Sequence, residues 1–324
     1  MSAITAGTAR RRGAVAVAAG IALALTLAGC GGGDDLEKKG GSSGGSGEKG
    51  DLVIGSAGFT ESAILAELYA QILSKDGYKT SIQKAATREL LEPALEKGQI
   101  DITPEYAATL AEFLNGKANG PNAKPVASPD VNVTMNELRK LTEPRGLRVL
   151  AAGQAVDQNA FAVQKEFADK HHLKTLSDLG KSKLKIKLAA GDECPKRPFC
   201  QPGLEKTYGI DITQVDPKGV GTPQAKQAVK DGTDQLVLTT TTDATLDQFG
   251  LVVLEDDKKL QNADNIVAVV NAKDAGSAKI AAHLEKLTKA LTTADLTELN
   301  KKVDGERQKP ADVAKEYLQS KGLI

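Results

Sequence analysis

The chain holds few residues able to do covalent chemistry. Its 324 residues include three His, three Cys, five Tyr, six Phe and no Trp. No GxSxG nucleophile elbow, HExxH zinc helix or Walker-type GxxxxGK[ST] phosphate loop occurs, and no His stands near a Ser or Cys that it could activate. Gly219-Val220-Gly221 lacks the third glycine of a dinucleotide fingerprint and runs into Thr222-Pro223, which reads as a turn. His283 falls in a helical run, where a structural or solvated role suffices. No catalytic residue, metal site or cofactor is predicted, and the chain is not expected to be an enzyme. What remains is recognition chemistry. Polar and aromatic side chains gather in four short segments, 55–60, 103–106, 154–159 and 239–243. A Tyr or Phe face attracts a cation, and hydroxyls and amides orient a small polar molecule.

These segments need elements to position them, and the pattern supplies strands and helices in alternation. Leu52-Val53-Ile54, Thr80-Ser81-Ile82, Ile100-Asp101-Ile102, Arg148-Val149-Leu150, Phe161-Ala162-Val163, Ile186-Lys187-Leu188, Leu236-Val237-Leu238, Leu251-Val252-Val253 and 266–270 read as strands. Ile64, Leu65, Leu68, Tyr69, Ile72 and Leu73 form a helical stripe over 60–76, stopped by Gly77. Further helices are predicted over 89–97, 105–114, 164–171, 223–230, 278–291, 294–303 and 311–321. The alternation predicts an α/β chain with mostly parallel sheets. Ligands in such sheets bind beyond the carboxyl ends of strands, where the loaded segments fall. Thr87 and Arg88 follow a strand and open a helix, so backbone amides and a guanidinium there could hold an anion.

Composition narrows the class. The 42 basic and 42 acidic residues cancel, which argues against a nucleic-acid binder, and 40% hydrophobic content excludes a multi-span membrane protein. Residues 1–29 read as a signal peptide: Arg10, Arg11 and Arg12 precede an apolar run over 14–28, too short for a spanning helix. Its end, Leu27-Ala28-Gly29-Cys30, resembles the lipobox of bacterial lipoproteins, so Cys30 is the predicted lipidation site. Residues 30–50, mostly Gly, Ser and charged residues, would be a flexible tether spanning roughly 25 Å root-mean-square. In an exported chain the remaining pair, Cys194 and Cys200, is expected to form a disulfide around Pro195-Lys196-Arg197-Pro198-Phe199. Zinc is the alternative, with His171 and His172 more than twenty residues away.

Three blocks carry a resemblance. Residues 53–62, Val-Ile-Gly-Ser-Ala-Gly-Phe-Thr-Glu-Ser, resemble the opening of substrate-binding proteins of glycine betaine, choline and carnitine ABC importers. Gly98-Gln99-Ile100-Asp101-Ile102-Thr103-Pro104-Glu105-Tyr106 is similar to that family's G-x-I-D-x-x-P-E-Y signature. Thr241-Thr242-Asp243, followed by 252–258, matches a third block, and the loop from Cys194 to Tyr208 resembles a bacterial subgroup. The resemblance implies a type II periplasmic-binding-protein fold of two α/β lobes closing on a ligand. Lobe one would be 51–152 plus 256–324, and lobe two 153–255. It also implies an extracytoplasmic lipoprotein, anchored through Cys30, that delivers a compatible solute to a membrane permease served by a separate ATPase, and works as a monomer.

Such ligands carry a quaternary ammonium without an N–H, so rings must do the recognising. Tyr106 falls on a family cage position; Phe59, Thr60, Thr87, Arg88, Phe161, Thr242 and Asp243 complete the candidate set. The family often has aromatics near Leu91 and at the position of Thr240, and this chain has neither. An incomplete cage leaves open a neutral, polyhydroxylated or aromatic ligand in the same receptor role. A sensory or interaction lipoprotein of the envelope is a further alternative.

Overall fold

A computed structural model describes residues 49–262 and 264–324. The leader, Cys30 and all but the end of the tether lie outside the described residues. In chain order the elements are β1 (Asp51–Ser56), α1 (Thr60–Lys75), β2 (Lys79–Lys84), α2 (Arg88–Glu96), β3 (Ile102–Tyr106), α3 (Ala107–Asn119), α4 (Val131–Thr142), β4 (Leu147–Val149), β5 (Asn159–Gln164), α5 (Lys165–His171) and α6 (Leu176–Ser182). Then follow β6 (Lys185–Ala190), α7 (Gln201–Gly203), β7 (Asp211–Pro217), α8 (Pro223–Lys230), β8 (Leu236–Thr240), β9 (Leu251–Leu254), β10 (Ile266–Asn271), α9 (Ala278–Ala290), α10 (Thr293–Asn300) and α11 (Pro310–Ser320).

They build two five-stranded sheets, β2-β1-β3-β10-β4 and β7-β6-β8-β5-β9. Each sheet belongs to one lobe with its own core. The Ile64–Leu73 stripe of α1 packs with β10, α9, α10 and α11 in lobe one, and Phe161, Leu188 and Leu238 pack with α6 in lobe two. The sheets are mixed rather than mostly parallel. β1 runs parallel to β2 and β3, but β10 is antiparallel to β3 and β4, and β5 is antiparallel to β8 and β9. β5 and β10 enter their sheets directly from the interlobe crossovers, with no helix to reverse the chain, so each opposes its neighbours.

The two crossovers lie side by side, with the amide of Gly153 donating to Ile266 (2.9 Å) and that of Asp157 to Asp264 (3.1 Å). Ala155 packs in the lobe-one core, and the amide of Val156 donates to Thr293. Residues 256–261, assigned to lobe one on sequence, instead bind lobe two: Ser177 donates its amide to Asp257, Gln261 donates to the carbonyl of Phe199, and Leu260 packs on the lobe-two core. Both exchanges thus fall a few residues later than 153 and 256.

Local readings shift where tertiary pairing intervenes. β3 starts at Ile102 and keeps Glu105 and Tyr106 extended, although a helix was expected from 105. All five of its residues are buried between β1 and β10, and the two ladders hold it straight. Edge strand β7 escapes the sequence pattern because it needs few apolar residues. Cys194 and Cys200 form the expected disulfide, with a Cα–Cα separation of 5.2 Å, which retires the zinc alternative. Among the described residues no helix is long and apolar enough to cross a membrane.

Candidate ligand-binding site

A cavity of about 370 Å³ opens between the lobes, within the range of small-molecule sites. Lobe one contributes the loops after β1 and β2, the end of β3 and the first turn of α3. The crossover contributes Asp157, and lobe two contributes Gln158, Asn159, 191–193, Arg197, Pro217, Gly219, Val220 and Thr240.

Two rings face this space. Phe59 and Tyr106 stand with centroids 6.1 Å apart at 36°. Gly58 makes the first placement possible: its amide bonds the carbonyl of Ala86 (3.1 Å), and a Cβ there would meet that oxygen at 2.8 Å. The loops after β1 and β2 can therefore touch, with Phe59 beside them. Tyr106 ends β3, and its hydroxyl donates to Glu61 Oε1 (2.7 Å). Burial and the nearby carboxylates push its pKa well up, so the phenol stays protonated and can donate.

Arg88 lies at the start of α2 and is buried. Its Nε and Nη2 grip Glu105 at 2.6–3.0 Å, and Nη2 also donates to Thr109 (2.8 Å). Glu61 has no such partner. It accepts from Tyr106, from Thr242 Oγ1 (2.7 Å) and from Asn300 Nδ2 (2.7 Å). Asp157 lies within its reach and accepts from Thr241 Oγ1 (3.0 Å) and the amide of Thr242 (3.1 Å). Burial raises the pKa of Glu61; burial, then the Glu61 charge, raise that of Asp157 further. Each carboxyl thus disfavours ionisation of the other. Asp264, on the returning crossover, accepts the amides of Ala108 and Thr109 (2.7 and 3.1 Å) and so caps α3. Burial lifts its pKa to about 7, against the pull of Arg88.

The predicted residues separate into four groups. Phe59, Tyr106, Thr87 and Arg88 line the cavity, although Arg88 spends two of its nitrogens on Glu105 and Thr109. Thr60 and Asp243 border a separate space of about 340 Å³. Thr60 donates to Asp304 (2.6 Å), and Asp243 pairs with the buried Lys226 (2.9 Å). Thr242 is fully buried and joins the lobes through Glu61 and Asn300. Phe161 does not line the cavity; at 1% exposure it is lobe-two core, because β5 lies inside the sheet between β8 and β9 and its apolar side chains pack with α6.

Leu91 and Thr240 both line the cavity, so the positions lacking family aromatics fall on its wall. Sequence reasoning missed Glu61, Asp157, Asp264 and Arg197. Glu61 sits inside the quoted opening block and Asp157 inside a loaded loop, but Asp264 has no local signal. Arg197, within the disulfide loop, reaches across the cleft to Glu89 with two bonds of 3.0 and 3.2 Å. The chemistry on offer is non-covalent: two ring faces, excess carboxylate, and lobes already bridged on two sides.

Known proteins resemble this chain. A glycine-betaine-binding protein of Pseudomonas aeruginosa is 27% identical over 283 residues, covering 84% of this chain and 88% of that one. The carnitine transport binding protein OpuCC of Listeria monocytogenes is 23% identical over 280 residues, covering 85% and 88%. A crystal structure titled as a glycine betaine/carnitine/choline ABC transporter superposes with a TM-score of 0.62 at 23% identity, covering 84% of this chain and 98% of that one. That likeness bears on the fold, the two-lobed type II periplasmic-binding-protein architecture. Residues 50–320 match the OpuAC family, described as the substrate-binding domain of the ABC-type glycine betaine transport system. With two lobes, a cleft of ring faces and a match across nearly all the described chain, this protein belongs to that family of transport receptors and is not an enzyme.

Proposed function

We propose that this protein captures a quaternary ammonium compatible solute between its lobes, against Phe59 and Tyr106, and hands it to an ABC permease. The observation that carries the reading is the pair of rings on one interlobe cavity in a chain of this family. A desolvated cation gains about 0.5–2 kcal/mol at each good ring contact. Thr87 and Arg88 close the same wall, and Thr242 ties closure to the cavity through Glu61. Hinge closure on the ligand is the signal that the permease reads. The protein works outside the cytoplasm as a monomer, held by a lipid on Cys30, with ATP hydrolysis left to a separate subunit. Mass spectrometry of the membrane-extracted protein should find Cys30 as an acylated N-terminus; an unmodified Met1 would remove the anchor.

The test of the ligand is calorimetry with glycine betaine, choline, carnitine and proline betaine, beside a thermal-shift panel of polyols and aromatic compounds. Micromolar binding of a quaternary ammonium, abolished by Tyr106→Ala, is expected. A neutral compound that alone shifts the melting temperature would transfer the receptor role to that class, which Leu91 and Thr240 in place of rings would favour.

A further inference from the structure

We propose that the cavity selects a quaternary ammonium of net charge +1, with an uncharged polar far end, over a zwitterion that carries its own carboxylate. The inference rests on the quaternary ammonium reading above and narrows it to monocations.

Charge balance carries the argument. Five carboxylates and two guanidiniums line the cavity. Both guanidiniums are already matched: Arg88 grips Glu105, and Arg197 grips Glu89 across the cleft, with Glu193 at 3.6 Å. Glu61 and Asp157 are matched by nothing of opposite sign. Their partners are the hydroxyls of Tyr106, Thr241 and Thr242, the amide of Asn300 and a backbone N–H, all neutral donors. Among the described residues neither carboxylate joins an ion pair.

Position adds to charge. Asp157 is itself on the cavity wall, and Glu61 holds the hydroxyl of the Tyr106 ring that faces the same space. A cation on that ring lies beside this acidic pair, favours its ionised form and supplies the opposite charge that no side chain gives it. In a low-dielectric cleft such an interaction is weakly screened. A zwitterion offers the same headgroup but adds a carboxylate to a wall already in anionic excess. Like charges there disfavour it, and the charge of each Arg is already matched by a protein carboxylate.

Choline and glycine betaine share the trimethylammonium group and differ at the far end, so they separate headgroup recognition from net charge. Calorimetry on the purified protein at one pH and salt concentration should give choline a Kd at least tenfold below that of glycine betaine. Glycine betaine binding as tightly or tighter would overturn the monocation inference and leave the quaternary ammonium reading standing. Failure of both to bind, with carnitine and proline betaine also silent, would overturn both. Asp157→Asn removes the ionisable group while keeping the shape. It should weaken choline at least fivefold and glycine betaine by a smaller factor, narrowing the preference between them. Glu61→Gln, checked for folding by thermal melting, should act in the same direction. Equal losses for both ligands, or no loss in either variant, would overturn the assignment of selectivity to this pair.

Discussion

Two buried acidic sites flank Tyr106, and they are solved differently. Glu105, at 5% exposure, meets a guanidinium through short bonds from two nitrogens. Glu61, at 3%, meets a phenol, a threonine, an asparagine and a second carboxyl. The first site is complete within lobe one, since Arg88 and Glu105 both belong there. The second is completed only by docking, because Thr242 comes from lobe two and Asp157 from the crossover. A permanent ion pair suits a wall that must keep its shape in every state. A carboxyl held by neutral donors suits a contact that forms and breaks as the cleft closes.

Breaking the first site should produce the largest effect. Arg88→Leu strands Glu105 in a buried position and should cost about 3–5 kcal/mol of unfolding free energy, read by urea titration. The double change Arg88→Leu/Glu105→Leu should recover much of that loss. A single variant as stable as the parent would mean that the pair does not hold the wall.

The second site is distinguished by pH. Glu61, Asp157 and Asp264 all have native pKa values above those of the unfolded chain. The native state therefore keeps protons that the unfolded state releases. Their stabilising contribution is complete below the unfolded carboxylate range and is lost as pH rises through the native values, for Asp264 near about 7. Each such proton adds a slope of up to ~1.4 kcal/mol per pH unit. Urea midpoints should fall between pH 5 and 7, and Asp157→Asn should flatten the fall. An unchanged slope in that variant would place the titration elsewhere.

A smaller effect separates the ring from its hydroxyl. Tyr106→Phe keeps the π face but deprives Glu61 of one donor, for a loss of about 1–3 kcal/mol in stability. Affinity for a cationic ligand should stay within about threefold. A large affinity loss with intact stability would assign the hydroxyl to the ligand instead. Arg197→Ala should matter least. Its pair with Glu89 is partly exposed on both sides, so about 0.2–1 kcal/mol is expected, together with a faster ligand off-rate.

The helix over 60–75 and the strand cores were readable because burial on one face imposes a period that any window of residues displays. The loop after β1 was readable for the same local reason and carries Phe59, whereas 103–106, expected as a loop, is strand β3 itself with Tyr106 at its end. Phe161 misled because an aromatic in an apolar strand is equally consistent with wall and core. Only the sheet order, which flanks β5 with β8 and β9 inside the lobe-two sheet, decides for core.

The sequence by itself determined the alternation of elements, the pairing of Cys194 with Cys200 and the family. It also marked Leu91 and Thr240 as positions where rings are missing. Tertiary structure decided which charges meet. Glu61 and Asn300 are 239 residues apart, and Ala108 and Asp264 are 156 apart. No local pattern records such a separation. Whether a buried carboxylate finds a guanidinium, a helix N-terminus or another carboxylate depends on how two separately packed lobes come together, so the electrostatics of the cleft emerge only at that level.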